Sequence, residues 1–310
     1  MTPTPFILFI YTSRYDILSE TGVQLNHGTM QRSVLITGCS SGIGRCVAGG
    51  LRKRGYRVFA TARKPEDVKA LTSEGFESCP LDVSNSASIK AALETILTKT
   101  GGVLYALFNN AGYAQPGAVE DLSRDLLREQ FETNLFGAQE LANRLIPVMR
   151  KQGEGRIIYN SSVLGLVALR FRGSYIASKF AMEGLVDTLR MELHGSGIHA
   201  VLIEPGPVTS SFRRNACAMF RRNIDKEKSN YRGIYQGVER RLAREDDTDV
   251  PFTLGPEAVL NKVIHALESK RPRARYYVTV PTYAFAFLKR ILPVRMLDWI
   301  LIKASGAENR

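Results

Sequence analysis

The stretch Ser33-Val34-Leu35-Ile36-Thr37-Gly38-Cys39-Ser40-Ser41-Gly42-Ile43-Gly44 decides how this chain folds. It runs from an apolar, strand-like segment through a glycine-rich turn directly into a helical pattern over residues 43–54. Glycines let such a turn bend tightly and approach a pyrophosphate, while the following helix offers free N–H groups and the positive end of its dipole. A plain tight turn would need fewer glycines. Alone the loop is weak evidence; between the first strand and first helix of a strand–helix series it becomes a dinucleotide signal.

The series is present. Strand-like runs occupy residues 33–37, 57–61, 76–81, 103–109, 156–161, 199–204 and 276–280, and helical patterns lie between them at 43–54, 87–98, 126–150, 174–193 and 256–269. Strands alternating with helices imply an α/β chain: a doubly wound parallel sheet of about seven strands with helices on both faces. No fixed-period repeat, low-complexity tract or Pro/Gly-rich linker divides it. The organisation expected is a loosely ordered extension over 1–32, one domain over 33–282 with a lid at about 210–251, and a helical extension over 283–310.

The second strand ends in Ala62-Arg63-Lys64. An NAD site usually offers a carboxylate there for the ribose 2′-hydroxyl. Arg63 and Lys64 suit a 2′-phosphate instead, so the contrast favours NADP(H), with Arg45 also near the loop. A solvated charge pair at a strand end is the plainer alternative. Further on, Tyr175 and Lys179 lie four residues apart on one face of a helical run. A nearby ammonium favours phenolate, lowering a tyrosine pKa and fitting it for proton transfer. The same spacing also arises in any amphipathic helix with a snorkelling lysine.

Bulk properties narrow the class. At 44% hydrophobic residues the 310-residue chain can bury a full core. Cys39, Cys46, Cys79 and Cys217 lack paired spacing and read as reduced thiols of a cytoplasmic protein, and the four histidines are scattered, so no metal site is expected. Most of the net charge of +12 sits in residues 213–228 and 270–310. It is therefore local to late segments, and no nucleic-acid partner is expected.

Together these segments resemble the short-chain dehydrogenase/reductase family, in its compact branch with a Rossmann-type sheet, over nearly all of residues 33–280. The family's T-G-x-x-x-G-x-G pattern is Thr37 to Gly44, with Gly38, Ser40, Ser41, Gly42 and Ile43 inside it. Its N-N-A-G motif is Asn109, Asn110, Ala111 and Gly112; its adenine-contacting Asp is Asp82, beside Val83. Its catalytic Asn, Ser, Tyr and Lys correspond to Asn134, Ser162, Tyr175 and Lys179, and its P-G turn to Pro205-Gly206-Pro207-Val208-Thr209. The resemblance implies that Tyr175 is the acid in carbonyl reduction and the base in alcohol oxidation, and that Lys179 tunes it and holds the nicotinamide ribose. It implies that Ser162 polarises the substrate oxygen and that Asn134 holds a water of a proton relay. Thr209 is expected to meet the carboxamide, with Val208 packing beside it. Ser161, by strand alternation, should face away from the site.

The lid region shows no regular pattern, and its Arg pairs at 213–214 and 221–222 suit water or an anionic substrate tail. The stretch 283–303 is apolar with interspersed cations and is broken by Pro293. Its expected role is packing on the protein or a subunit contact of a homo-oligomer (dimer or tetramer), with peripheral membrane contact as the alternative. The tail and the loop look like the hydroxysteroid/retinol dehydrogenase-like members and similar bacterial NADP-dependent aldehyde reductases. The expectation is an NADP(H)-dependent oxidoreductase acting on a lipophilic carbonyl or alcohol, chiefly in aldehyde reduction. A 3-oxoacyl thioester reductase and a non-catalytic dinucleotide-sensing protein are the alternatives.

Overall fold

Near-continuous apolar residues along short β-rich runs give the central strands two buried faces, and amphipathic helices cover both. A computed structural model describes residues 31–244 and 251–308. The expectation for 1–32 falls almost wholly outside the described residues.

In chain order the elements are β1 Ser33–Ile36, α1 Gly42–Lys53, β2 Arg57–Ala62, α2 Pro65–Ser73, β3 Glu77–Pro80, α3 Ser86–Lys99 and β4 Ala106–Asn109. Next come α4 Arg124–Phe131, α5 Gly137–Gln152, β5 Gly155–Asn160, α6 Gly173–Glu192 and β6 Ile198–Glu204. The chain continues with α7 Phe212–Asn223, α8 Arg232–Ala243, α9 Glu257–Glu268, β7 Arg275–Tyr277, α10 Val280–Ile291 and α11 Val294–Glu308. The sheet order is β3-β2-β1-β4-β5-β6-β7, all parallel. Leaving β1 toward one edge and returning at β4 toward the other opens a crevice at the carboxyl ends of these strands, where ligands of such sheets bind.

The strands feed two cores. Leu35, Leu107, Ile157 and Leu202 pack toward α3, α5 and α6, while Val34, Ile36, Phe108 and Ile203 pack toward α1 and α9. A third cluster lies beneath the lid around Phe220 and Tyr235.

Four expectations change. The helix expected over 126–150 divides into α4, a π-helical turn at Glu132–Phe136, and α5. A Cβ on Gly137, where α5 begins, would stand 1.8 Å from the Val83 carbonyl oxygen, so only glycine permits this approach. The lid is helical rather than irregular. Ala216, Cys217 and Phe220 of α7 and Tyr235, Val238 and Leu242 of α8 form buried stripes that the intervening arginines obscure in sequence. The last strand ends at Tyr277, and Val280 already belongs to α10. The apolar face of α10 and α11, expected to pack on the protein, points outward: Phe287 and Trp299 are 62% and 60% exposed. Smaller residues, Thr282 and Ala286 of α10 and Ser305 of α11, take the inward positions with Leu301.

Candidate active site

The carboxyl ends of β1, β2, β4, β5 and β6 and the lid enclose a cleft of ≈ 1480 Å³. Gly38, Ser40, Ser41, Gly42 and Ile43 form one end of it. Gly38 has φ +70°, and a Cβ there would meet Ala111 Cα at 2.9 Å. Ser41 caps α1 without a side-chain hydrogen bond, and the first turn carries no acidic residue. These amides and the positive helix end therefore suit a pyrophosphate, and this part of the site fits a dinucleotide. Thr37 and Gly44 stand behind the loop. The Thr37 hydroxyl accepts the Asn110 and Ala111 N–H groups at 3.0 and 2.9 Å. A Cβ on Gly44 would lie 2.2 Å from the Gly38 carbonyl oxygen. Both residues shape the loop and neither lines the cleft.

Arg63 lines the cleft at the end of β2, and none of the described carboxylates pairs with it. Lys64 leans on Glu66 at 3.7 Å, and Arg45 is taken by a salt bridge to Glu74. Of the three cations expected near a 2′-phosphate, Arg63 is the one without a carboxylate partner among the described residues. Asp82 and Val83 line the adjoining wall, with Asp82 Oδ1 accepting from Ser84 N–H and hydroxyl at 3.0 and 2.7 Å. Asn110, Ala111 and Gly112 form the floor, and Asn110 Nδ2 donates to the Thr37 and Gly38 carbonyls at 3.0 and 3.1 Å. Pro205, Gly206 and Val208 line the far end; Thr209 does not, its N–H donating to the Leu254 carbonyl at 3.0 Å.

Tyr175 and Lys179 come from the first two turns of α6 and are both buried. Ser162, just after β5, hydrogen-bonds Tyr175 and also accepts from Leu164 N–H at 3.1 Å. Lys179 Nζ donates to the Asn160 carbonyl at 2.6 Å and stands 5.6 Å from the Tyr175 ring centroid. Burial pushes the Tyr175 hydroxyl up to about 12, only partly offset by Ser162. Desolvation thus opposes the phenolate that a nearby ammonium was expected to favour, and Ser162 is the group that offsets it. The Lys179 ammonium is itself pulled down to about 8 by burial, with Glu183 opposing. At neutral pH Tyr175 is thus a protonated donor next to a hydroxyl that can bind an oxygen.

Asn134 sits on the π-helical turn, fully buried. Its Nδ2 donates to the Tyr113 carbonyl at 3.0 Å and to Ser178 Oγ at 3.1 Å, and its Oδ1 accepts from Tyr113 N–H at 3.1 Å. The side chain braces the floor against α6 and does not reach Lys179. Ser161, expected to face away from the site, also lines the cleft, and its hydroxyl donates to Glu183.

A buried ionic cluster behind Lys179 has no counterpart in the sequence expectations. Arg275 of β7 reaches Glu183 at 3.0 Å, Asp187 at 2.7 Å and Glu204 of β6 at 3.0 Å. Burial raises both Glu183 and Glu204, the neighbouring Glu183 adds to the rise at Glu204, and Arg275 opposes both. One signal was available: Glu183 follows Lys179 by four, as Lys179 follows Tyr175, so all three share a helix face. Phe212 of the lid was missed as well; its ring meets the Tyr175 ring edge-on at 5.3 Å.

The short chain dehydrogenase family model matches residues 32–219. The chain is 44% identical over 272 residues to an uncharacterized oxidoreductase, YbbO, of Escherichia coli, covering 88% of this chain and 94% of that protein. It is 31% identical to the NADPH-dependent 3-dehydrocapnine reductase of Ornithobacterium rhinotracheale, covering 88% of this chain and 96% of the relative. It is 33% identical to human retinol dehydrogenase 8, covering 84% and 85%. The chain belongs to the short-chain dehydrogenase family and is an oxidoreductase.

Proposed function

We propose that this short-chain dehydrogenase reduces a lipophilic carbonyl compound, an aldehyde above all, using NADPH, with Tyr175 as the proton donor. The observation that carries the reading is the pairing of a protonated, buried Tyr175 with Ser162 in the same cleft as the glycine loop and Arg63. When bound, the dinucleotide supplies the hydride that adds to the carbonyl carbon. Ser162 Oγ holds the carbonyl oxygen and stabilises the negative charge that builds there. Tyr175 Oη passes its proton to that oxygen, giving the alcohol, and Lys179 keeps a positive charge beside the phenolate left behind. Asn134 fixes the floor on which α6 holds Tyr175.

Apolar groups around the donor support a lipophilic substrate: Leu164 and Leu169 line one wall and Phe212 and Met219 of α7 another. Likeness to a retinol dehydrogenase agrees with such a substrate. For the cofactor, Arg63, which has no carboxylate partner among the described residues, supports a 2′-phosphate, as does likeness to an NADPH-dependent reductase.

The test is loss of NADPH, with NADH in parallel, against medium- and long-chain aldehydes, retinal, steroid ketones and an acetoacetyl thioester. Selective NADPH consumption with aldehydes or retinal is expected. Consumption with the thioester alone would move the assignment to 3-oxoacyl chemistry, which Arg214 and Arg222 at the cleft could serve through an acidic partner. Arg63→Asp should cut the NADPH-over-NADH preference by roughly tenfold or more, the loss of one charge-assisted contact. An unchanged ratio would overturn the 2′-phosphate assignment.

A further inference from the structure

We propose that the outer face of α10 and α11 docks on an anionic lipid membrane, with both helices lying along its surface. On α10, Val280, Tyr283, Phe287 and Ile291 recur at helical spacing and are 48–62% exposed. On α11, Met296, Trp299 and Ile302 are 55–60% exposed. A helix packed on its own domain turns its large apolar residues inward; these two do the reverse. An apolar patch of this kind marks an interaction surface.

Its charge identifies the partner. Arg290, Arg295 and Lys303 are exposed on the same two helices, and no salt bridge joins any of them to a carboxylate among the described residues. Lys303 Nζ lies 3.7 Å from the Trp299 ring centroid. Cations beside tryptophan and long aliphatic groups match the boundary where anionic head groups meet acyl chains. A second copy of the chain fits less well, since an isologous contact would set these cations against their own duplicates, with Asp298 the acidic side chain to answer them among the described ones. Among the described residues no helix is long and apolar enough to cross a membrane, so the helices would rest on the surface.

The face also borders the substrate cleft. Arg170 N–H donates to Ser305 Oγ of α11 at 3.3 Å, and the turn Val163–Gly165 packs against α10. Leu169 and Leu164, from these two segments, line the cleft. A lipid-borne substrate would meet the cleft beside the docking face.

Trp299 is the only tryptophan of the chain, so its emission reports on this face directly. Full-length protein should float with vesicles of phosphatidylcholine mixed with phosphatidylglycerol, but not with phosphatidylcholine alone. Trp299 emission should shift to the blue, and bound protein should be released by salt. Replacing Arg295 and Lys303 by Gln should weaken binding by about fivefold for each cation removed. Phe287→Ser with Ile291→Ser should abolish it while the thermal midpoint stays within a few degrees, because both sites are exposed. Three results would overturn the proposal: no flotation, flotation with Trp299 emission unchanged, or a Phe287→Ser/Ile291→Ser protein that binds as before. Conversion of an oligomer to monomers by that pair, without any vesicle binding, would assign the face to a second copy. None of these readouts uses turnover, so failure of the proposed reaction would leave them standing.

Discussion

Tyr175 and Lys179 show two titrating groups set by burial before charge. Desolvation raises the phenol to about 12 and lowers the ammonium to about 8, and both effects favour the neutral form. Glu183, one turn beyond, pulls the ammonium back up. In Glu183→Gln that pull is gone, so Lys179 loses its proton at a lower pH. The alkaline decline of the reductase rate should therefore start at lower pH than in the wild type, while the rate at neutral pH changes less. An alkaline limb that stays in place or moves upward would show that Glu183 does not act on Lys179. At this scale the sequence was informative wherever chemistry is written into local spacing: Tyr175, Lys179 and Ser162 meet as expected. It was silent on the Arg275 cluster, because Glu183, Glu204 and Arg275 come from a helix and two strands that only the folded sheet brings together. Thr37, Gly44 and Thr209 carry motif positions yet lie outside the cleft, since a motif marks the loop as a unit and not each residue's contact.

Among the elements, the π-helical turn at Glu132–Phe136 has the most consequence for the site. It seats Asn134 under Tyr113 and Ser178 and lets Gly137 press on Val83, a residue of the cleft wall. Gly137→Ala places a methyl group where the Val83 carbonyl stands, so one backbone must retreat. The expected cost is ~1–3 kcal/mol, seen as a lower urea midpoint, with weaker dinucleotide binding. A midpoint and affinity equal to wild type would mean that the contact is slack. Apolar periodicity shows a continuous helix at 126–150 because a π turn adds one residue without disturbing the stripe on either side. The lid was illegible for a different reason. Its helices carry so many arginines that only the contacts of Phe220 and Tyr235 with the third cluster reveal the buried faces. For α10 and α11 the pattern was visible and its direction was not: amphipathicity gives a face, and tertiary packing decides which way it points.

Over the whole molecule, one sheet order brings residues from 38 to 253 to a single crevice. The doubly wound parallel sheet was foreseeable because a glycine loop after β1 and strand–helix alternation leave few topologies. The same architecture serves many substrates, so the reaction follows from the side chains at the crevice and not from the fold. The account stands or falls on Tyr175 as proton donor in an NADPH-dependent reduction. The most direct measurement follows NADPH oxidation by a long-chain aldehyde in wild-type protein and in Tyr175→Phe, with NADPH binding measured on both. The account predicts turnover in the wild type, a loss of about 10²–10⁴-fold in the variant, and nearly equal NADPH affinity. A Tyr175→Phe protein that reduces the aldehyde at close to the wild-type rate would contradict it.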